Sequence, residues 1–122
     1  MIGDEPTDGG LPRAYLRPVL LVLLARGPMH GYELLDQVRE AGVRSAETAG
    51  LYRTLRSMEQ HGLLDSWWED SSSGPPRRTY VLTETGHKVF HAEMKGIEAR
   101  VDLLNELLRR AGRTVAPQRR PR

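Results

Sequence analysis

The sequence predicts a mainly α fold with one small β-hairpin, followed by a long C-terminal helix. Three observations support this class. Apolar residues recur at helical spacing in three short segments before residue 62, and apolar and polar residues alternate in two segments between residues 63 and 83. An apolar heptad then runs from Phe90 to Leu108. The 122 residues are enough for one domain with one modest core.

The first helix is predicted from near residue 12 to residue 25, where "RGP" ends it. Pro18 lies inside this segment and can kink the helix. The apolar run over residues 18–25 is far shorter than the roughly 20 residues that span a bilayer, so it predicts a core helix and no membrane anchor. One face carries an apolar stripe: Leu16, Val19, Leu20, Leu23 and Leu24.

Two further short helices are predicted at "HGYELLDQV" and "AETAGLYRTLRSMEQHG". Ser45 is the predicted N-cap of the third helix, because a side-chain oxygen there can accept from the free backbone N–H groups of the first turn. Gly62 ends the same helix. The predicted buried stripes are Tyr32, Leu34, Leu35 and Val38 in the second helix, and Leu51, Leu55 and Met58 in the third.

Two strands are predicted at "LLDSWWED" and "RRTYVLT". The connecting "SSSGPP" is too long for a two-residue turn, which predicts a projecting loop. Trp67 and Trp68 are adjacent, and adjacent strand residues point to opposite faces. We therefore expect one tryptophan to join Tyr80 and Leu82 in the core, and the other to be exposed or to face a partner.

The last helix is predicted from Glu84 to about Ala111, with Thr83 as its N-cap. About 27 residues at 1.5 Å each give a helix of about 40 Å, longer than a body of this size can cover. Its apolar seam therefore predicts a partner, most simply the same helix of a second copy. The seam consists of Phe90, Met94, Ile97, Val101, Leu104 and Leu108, widened by Leu103 and Leu107.

Composition marks two tails outside these elements. Residues 1–10 are rich in Gly and Asp, and residues 112–122 are rich in Pro and Arg; neither has an apolar period, so both are predicted to be disordered. The expected organisation is thus an N-terminal tail (1–10), a helix and hairpin domain (11–83), a dimerisation helix (84–111) and a basic tail (112–122).

Arginine distribution indicates the surface that meets a partner. Of the 18 basic residues 16 are arginine, and seven of these fall between residues 13 and 56 against four acids. The order of elements is that of a winged helix-turn-helix, in which the third helix enters the major groove of DNA. Its outward positions are Thr48, Ala49, Tyr52, Arg53 and Arg56, with Ser45 just before them. Arg77 and Arg78 on the hairpin and Tyr32 on the second helix can reach phosphates.

The same residues carry a resemblance to a known family. The segments "HGYELL", "GLYRTLRSMEQHGLL" and "GPPRRTYVLTETG" resemble the signature segments of PadR-type transcriptional regulators, in order and at matching spacing. The resemblance covers roughly residues 16–94. It implies a winged-helix homodimer that represses transcription at a palindromic DNA operator. The protein would be cytoplasmic, and associated with the nucleoid when bound to DNA. A small hydrophobic or aromatic effector would release it from the operator.

The single C-terminal helix resembles the compact branch of that family, in which the first and last helices form the dimer interface. The resemblance thus adds Leu16 and Leu20 to the seam residues Met94, Ile97, Val101, Leu104 and Leu108 as interface candidates. Two positions depart from the pattern. Arg53 stands where the family commonly has Pro, and Trp67 is an added aromatic residue, which makes it our candidate for effector or partner contact.

Other classes of function find little support in the sequence. It has no cysteine, no Gly-rich phosphate loop and no nucleophile beside an apparent base, so we expect no catalysis. His87 and His91 have the i, i+4 spacing of metal ligands but lack a third donor, so we expect no metal site and no cofactor. The alternative function is a winged-helix module that binds proteins and not DNA.

Overall fold

The computed structural model of the protein describes residues 9–71 and 73–113, so most of both predicted tails lies outside the described residues. After a single 3-10 turn at Arg13–Tyr15, the elements are α1 (Leu16–Leu24), β1 (Met29–His30), α2 (Gly31–Glu40), α3 (Thr48–Gln60), β2 (Leu64–Ser71), β3 (Gly74–Leu82) and α4 (Glu84–Arg110). The predicted class, mainly α with a small sheet and a long C-terminal helix, is confirmed.

The chain divides into two compact units, residues 1–91 and 92–122. The division comes eight residues after the start of α4, because the first two turns of this helix pack with the helices and sheet of the first unit. Gly86 is buried there, and Val89 and Phe90 pack against the core cluster. The described part of the second unit is the rest of α4 and the turn that follows it.

The core of the first unit is built mainly from leucine side chains of α1, α2 and α3. The predicted stripe of α1 is buried except for Leu16, which is half-buried, and Leu21 is buried in addition. Leu20 has no exposed surface, because it lies in this core. Its prediction as a dimer-interface residue is therefore wrong, since a side chain enclosed by its own protomer has no surface to offer a partner.

The sheet has three antiparallel strands in the order β1, β3, β2, and not the two that were predicted. The additional strand is only Met29–His30, which pairs Met29 with Tyr80 and His30 with Thr79. Two residues cannot show an alternating pattern, so the sequence gives no periodic signal for this strand. Its effect is to join the start of α2 to the middle of β3.

The prediction of a projecting loop between the two strands is wrong. β2 continues to Ser71 and β3 begins at Gly74, and these two residues pair with each other. The ladder is irregular between Glu69 and Ser71, opposite Pro75 and Pro76. Proline cannot donate a ladder hydrogen bond, and strands tolerate it at such irregularities and where one side is unpaired. β1 reaches only Thr79 and Tyr80, so β3 has β2 alone as its neighbour at the prolines.

Neither tryptophan belongs to the core, which corrects the prediction that one would. Trp68 is 64% exposed and Trp67 is 41% exposed. Trp68 does share the inner face of the hairpin with Tyr80 and Leu82, as alternation requires. It lies nearer the tip of the hairpin than these two residues, however, where the buried core has already ended.

The start of α3 also differs from the prediction. Ser45 is not its N-cap, because the helix begins at Thr48 and Glu47 occupies the cap position without a side-chain capping hydrogen bond. The preceding loop is held inward by buried Val43 and Ala46, and Arg39 Nε donates to the carbonyl oxygen of Ala46 at 2.9 Å. These contacts place Ser45 in the loop, half-buried.

The predicted N-cap of α4 is confirmed by its hydrogen bonds. The Gly86 backbone N–H donates to Thr83 Oγ1 at 3.0 Å, and the same hydroxyl donates to the Gly62 carbonyl oxygen at 2.6 Å. Thr83 thus ties the start of α4 to the turn that ends α3. Within residues 9–71 and 73–113, every helix is too short or too polar to cross a membrane.

Candidate nucleic-acid interface

The outward side of α3 presents the side chains that the helical period placed there. Thr48, Ala49, Arg53 and Arg56 are exposed, whereas Leu51, Leu55 and Met58 are buried on the opposite side. This division follows from 3.6 residues per turn, which gives a short amphipathic helix one buried stripe. Two guanidinium groups and a hydroxyl are consequently available on one helix surface.

Tyr52, between these two sides of α3, is half-buried against the start of α2. A Cβ atom added at Gly31 would lie 2.6 Å from Tyr52 Oη and 2.7 Å from Tyr52 Cε1, closer than real Cβ contacts. Only glycine therefore fits at residue 31 while the tyrosine ring keeps this position. Tyr32, on the same turn of α2, is 54% exposed, so its prediction as part of the buried stripe of this helix is wrong.

The first unit contains a groove of about 870 Å³ between the start of α2, α3 and the β2–β3 hairpin. Guanidinium groups outnumber carboxylates on its walls, where Glu59 is the acidic residue among those that line it. A cationic, aromatic groove beside an exposed helix is suited to a polyanion with flat groups. Its arginines are Arg56, Arg77 and Arg78, and its aromatic residues are Tyr32, Tyr52, Trp68 and Tyr80.

The two adjacent arginines of β3 have different surroundings, because neighbouring strand residues point to opposite faces. Arg77 is exposed, and its guanidinium lies over the ring of Tyr32 at 5.2 Å from the centroid. The Tyr32 ring is in turn parallel to that of His30, with centroids 6.2 Å apart. Arg77 is thus an exposed residue of the groove lining whose guanidinium contacts the Tyr32 ring.

Arg78 points to the inner side of the hairpin. Its guanidinium lies over the Trp68 ring at 5.3 Å from the centroid, and its Nη2 is 3.8 Å from Glu59 Oε2. The same carboxylate oxygen accepts a hydrogen bond from Ser66 Oγ at 2.8 Å. Burial raises the pKa of Tyr80, and the charge of Arg78 and its hydrogen bond to this tyrosine act in the opposite direction.

A polar network that the sequence did not predict lies on the outer face of the sheet. Thr79 Oγ1 donates to Glu69 Oε1 at 2.7 Å and lies 3.0 Å from His30 Nδ1. The hydroxyl has one proton, so His30 Nδ1 is the donor in the second contact. The hydrogen bonds from Thr79 and then Trp67 hold the pKa of Glu69 below its ordinary value, with a smaller effect from His30.

This network predicts a stability change in acid. A carboxylate with a lowered pKa stabilises the folded state above its unfolded pKa of about 4.3, and this contribution disappears as pH falls through the lower folded value. We expect the thermal midpoint of the wild type to fall between about pH 5 and pH 2, and Glu69→Gln to reduce that fall. Scanning calorimetry of both proteins between about pH 5 and pH 2 measures the thermal midpoints. Asp70→Asn is the control, and an identical fall in Glu69→Gln and the wild type would contradict the assignment.

The structure brings together only part of the predicted DNA-binding set. Tyr32, Tyr52, Arg56, Arg77 and Arg78 line one groove, whereas Thr48, Ala49 and Arg53 lie on α3 outside its lining, and Ser45 lies in the loop before α3. Sequence reasoning missed Glu59 and Trp68. Alternation alone puts Trp68 on the inner face of β2, but its pairing with Arg78 depends on the register.

The interface candidates of α4 are partly accessible. Met94 and Ile97 are half-buried, and Leu16 of α1 is half-buried as well. The exposed apolar residues of the second unit are Val101 (41%), Leu103 (70%), Leu104 (55%), Leu107 (62%) and Leu108 (42%). Exposed apolar side chains that cluster in this way mark surfaces for association.

His87 and His91 are exposed on α4. The described residues contain no group of three or more His, Cys, Asp or Glu side chains arranged to hold a metal ion.

Comparison with known proteins gives one family. Residues 19–92 match the Transcriptional regulator PadR-like family. A PadR family transcription regulator of Clostridium difficile R20291 is similar in structure, with a TM-score of 0.70 at 26% identity over 77% of this chain and 98% of that chain. A PadR family transcriptional regulator of Eggerthella lenta DSM 2243 gives a TM-score of 0.69 at 31% identity over 79% and 83%.

The structure of Bacillus subtilis PadR in complex with operator DNA is also similar in fold. Its TM-score is 0.60 at 22% identity, over 68% of this chain and 48% of that chain. No curated protein matches the sequence.

Proposed function

The chain belongs to the PadR-like family of transcriptional regulators, and from this we propose that it is a sequence-specific DNA-binding repressor. We propose further that it acts as a homodimer on a palindromic operator and that a small hydrophobic or aromatic effector releases it. In this proposal α3 is the recognition helix and the β2–β3 hairpin is the wing.

The observation that carries the proposal is the position of three accessible guanidinium groups. Arg53 and Arg56 are exposed on α3, and Arg77 is exposed on the wing across a cationic groove. Arginine forks pair with guanine edges in the major groove and with phosphates, and α3 has small residues at Ala49 and Gly50 that permit close approach. The operator complex of Bacillus subtilis PadR, a protein of similar fold, supports the same class of partner.

The homodimer is supported by the exposed apolar residues of α4. Val101, Leu104 and Leu108 are each more than 40% exposed, and burying such side chains against a second copy stabilises the pair by about 25 cal/mol per Å² of apolar surface. Two copies would present two recognition helices to a palindrome, with half-sites about 34–36 Å apart. An effector can release DNA only through its different affinity for the bound and free dimer arrangements.

The basic test is a gel shift with the DNA that flanks the gene of this protein, repeated at two salt concentrations. A reader with six to ten phosphate contacts loses affinity with a slope of about −0.9 per contact on logarithmic axes. A protein-binding module that uses its apolar seam responds little to salt. We expect a shift at low salt that weakens steeply as salt is raised, and the absence of any shift at low salt would refute the DNA-binding proposal.

Two arginines should separate base reading from phosphate contact. We expect Arg53→Ala to lose about 1–3 kcal/mol on the preferred sequence and little on random DNA, because a bidentate base contact is sequence-specific. We expect Arg77→Ala to weaken binding to both DNAs and to lower the salt slope by about one. Fluorescence anisotropy titrations on both DNAs measure this. Equal losses on the two DNAs for both variants would contradict the assigned roles.

A further inference from the structure

The surroundings of Arg78 differ from those expected of a phosphate contact. We infer that Glu59 and Arg78 form a brace between the wing and the recognition helix, so that Arg78 acts on DNA binding by fixing the wing and not by touching DNA. This inference rests on the proposed function for its DNA readout. We call Glu59, Ser66, Trp68 and Arg78 the wing brace.

The wing brace joins three elements through one carboxylate. Glu59, near the end of α3, accepts from Ser66 of β2 at 2.8 Å and lies 3.8 Å from the guanidinium of Arg78 on β3. The Arg78 guanidinium also lies over the Trp68 ring, at 5.3 Å from its centroid. Both strands of the wing are thereby tied to the helix that carries Arg53 and Arg56. The Glu59 carboxylate is the group that connects α3 to both strands of the wing.

Arg78 differs from the adjacent Arg77 in its exposure and in the carboxylate beside its guanidinium. About a third of the side chain is exposed in Arg78 (35%) and in Glu59 (34%). For Arg78 to bind a phosphate it would have to leave the indole and the carboxylate, or bring the phosphate close to Glu59, which repels it. The guanidinium of Arg77 lies over the ring of Tyr32, and among residues 9–71 and 73–113 it forms no ion pair, although Glu69 is its neighbour across the strands. The two adjacent arginines are therefore assigned different tasks.

The two roles considered for Arg78, a brace and a phosphate contact, predict opposite effects of Glu59→Gln on DNA affinity. If Arg78 bound phosphate, Glu59→Gln would remove a repulsive charge and tighten DNA binding. If Arg78 is a brace, the same change frees the wing and weakens binding. Glutamine retains an acceptor for Ser66, so the substitution removes the charge while leaving that hydrogen bond able to form.

The experiment is a double-mutant cycle read by DNA affinity over a salt series, with Glu59→Gln, Arg78→Gln and the double variant in the full chain. We expect each single change to weaken binding roughly fivefold, the upper scale of a partly exposed ion pair. We expect the double variant to be no weaker than either single one, and the salt slope to stay unchanged. The charge exchange Glu59→Arg with Arg78→Glu should restore affinity to within roughly twofold of the wild type.

Matched control variants separate the effect of the wing brace from the effect of the protein's net charge on DNA affinity. Arg77→Gln should lower the salt slope by about one, in contrast to Arg78→Gln. Asp65→Asn, an exposed acid of β2, removes the same charge as Glu59→Gln without touching the wing brace, and should not weaken binding. The inference is overturned by tighter binding of Glu59→Gln, by a salt slope lowered by one in Arg78→Gln, or by a charge exchange weaker than Arg78→Gln.

A readout without DNA keeps the inference testable if the proposed function fails. In a Trp67→Phe background the tryptophan fluorescence comes from Trp68 alone, because these are the two tryptophans of the chain. We expect Glu59→Gln and Arg78→Gln to change this emission and to show coupled thermal midpoints, whereas Arg77→Gln leaves the emission unchanged. Wild-type protein that fails to bind DNA would refute the function only. Uncoupled midpoints with unchanged Trp68 emission would refute the brace.

Discussion

Replacing Gly86 by Ala should lower the free energy of unfolding by about 1–3 kcal/mol, the range for forcing extra atoms into a packed site. A Cβ at this position would overlap the carbonyl oxygen of Leu63 and lie 3.1 Å from Leu82 Cδ2. The obstacle is backbone and not the flexible end of a side chain, so the first turn of α4 must move away from the α3–β2 turn. Chemical denaturation followed by circular dichroism measures the change.

Gly96 supplies the control within the same helix. Apart from its chain neighbours and the backbone of its own helix, no atom of the described residues lies within 4 Å of a Cβ built there, so Gly96→Ala meets open space. Alanine is favoured over glycine inside a helix by about 1 kcal/mol, and we expect this variant to be as stable as the wild type or more stable. If Gly86→Ala lowers the free energy of unfolding and Gly96→Ala does not, the effect of crowding at residue 86 is separated from that of helix propensity. Equal effects of both substitutions would contradict the close packing at Gly86.

Replacing Leu104 by Glu should dissociate the proposed dimer and weaken operator binding by about 100-fold or more. Leu104 is 55% exposed in the single chain, so the charged side chain costs the protomer little. Against a second copy it would place a carboxylate among leucines, which is unfavourable without a paired charge. Sedimentation velocity measures the dimer, and anisotropy with a complete palindrome measures the loss of paired binding.

Lys95→Gln is the matched control for this second change. It alters the net charge by the same amount, and residue 95 lies nine positions, two and a half turns, from residue 104 and so on the opposite side of α4. We expect this variant to remain a dimer with nearly unchanged DNA affinity. A Leu104→Glu protein that sediments as a dimer would exclude the seam as the interface.

The elements that could be predicted are those whose residues repeat. α3 has a buried stripe at Leu51, Leu55 and Met58, which is enough to define its outward side, and the seam of α4 is defined by the same logic over more turns. Thr83 was predictable as a cap because its hydroxyl precedes a helix directly. Local chemistry fixes these features, so a single sequence contains the information.

The features that could not be predicted depend on contacts between distant segments. β1 is a strand only because β3 pairs with it, and two residues carry no pattern of their own. Alternation puts one tryptophan on the inner face, and the register makes it Trp68, but its exposure depends on where the core ends along the hairpin. The wing brace requires Glu59 of α3 to meet Arg78 of β3, and no local rule specifies the register that brings them together.

The close contact between Gly31 and Tyr52 bears on the time course of DNA recognition. The ring of Tyr52 is wedged against the start of α2, so α3 cannot rotate about its axis without losing that contact. The side that presents Arg53 and Arg56 is thus already formed before DNA arrives. When a binding surface is preformed, related complexes differ mostly in their dissociation rates. Preferred and random DNA should accordingly associate at similar rates and differ in residence time.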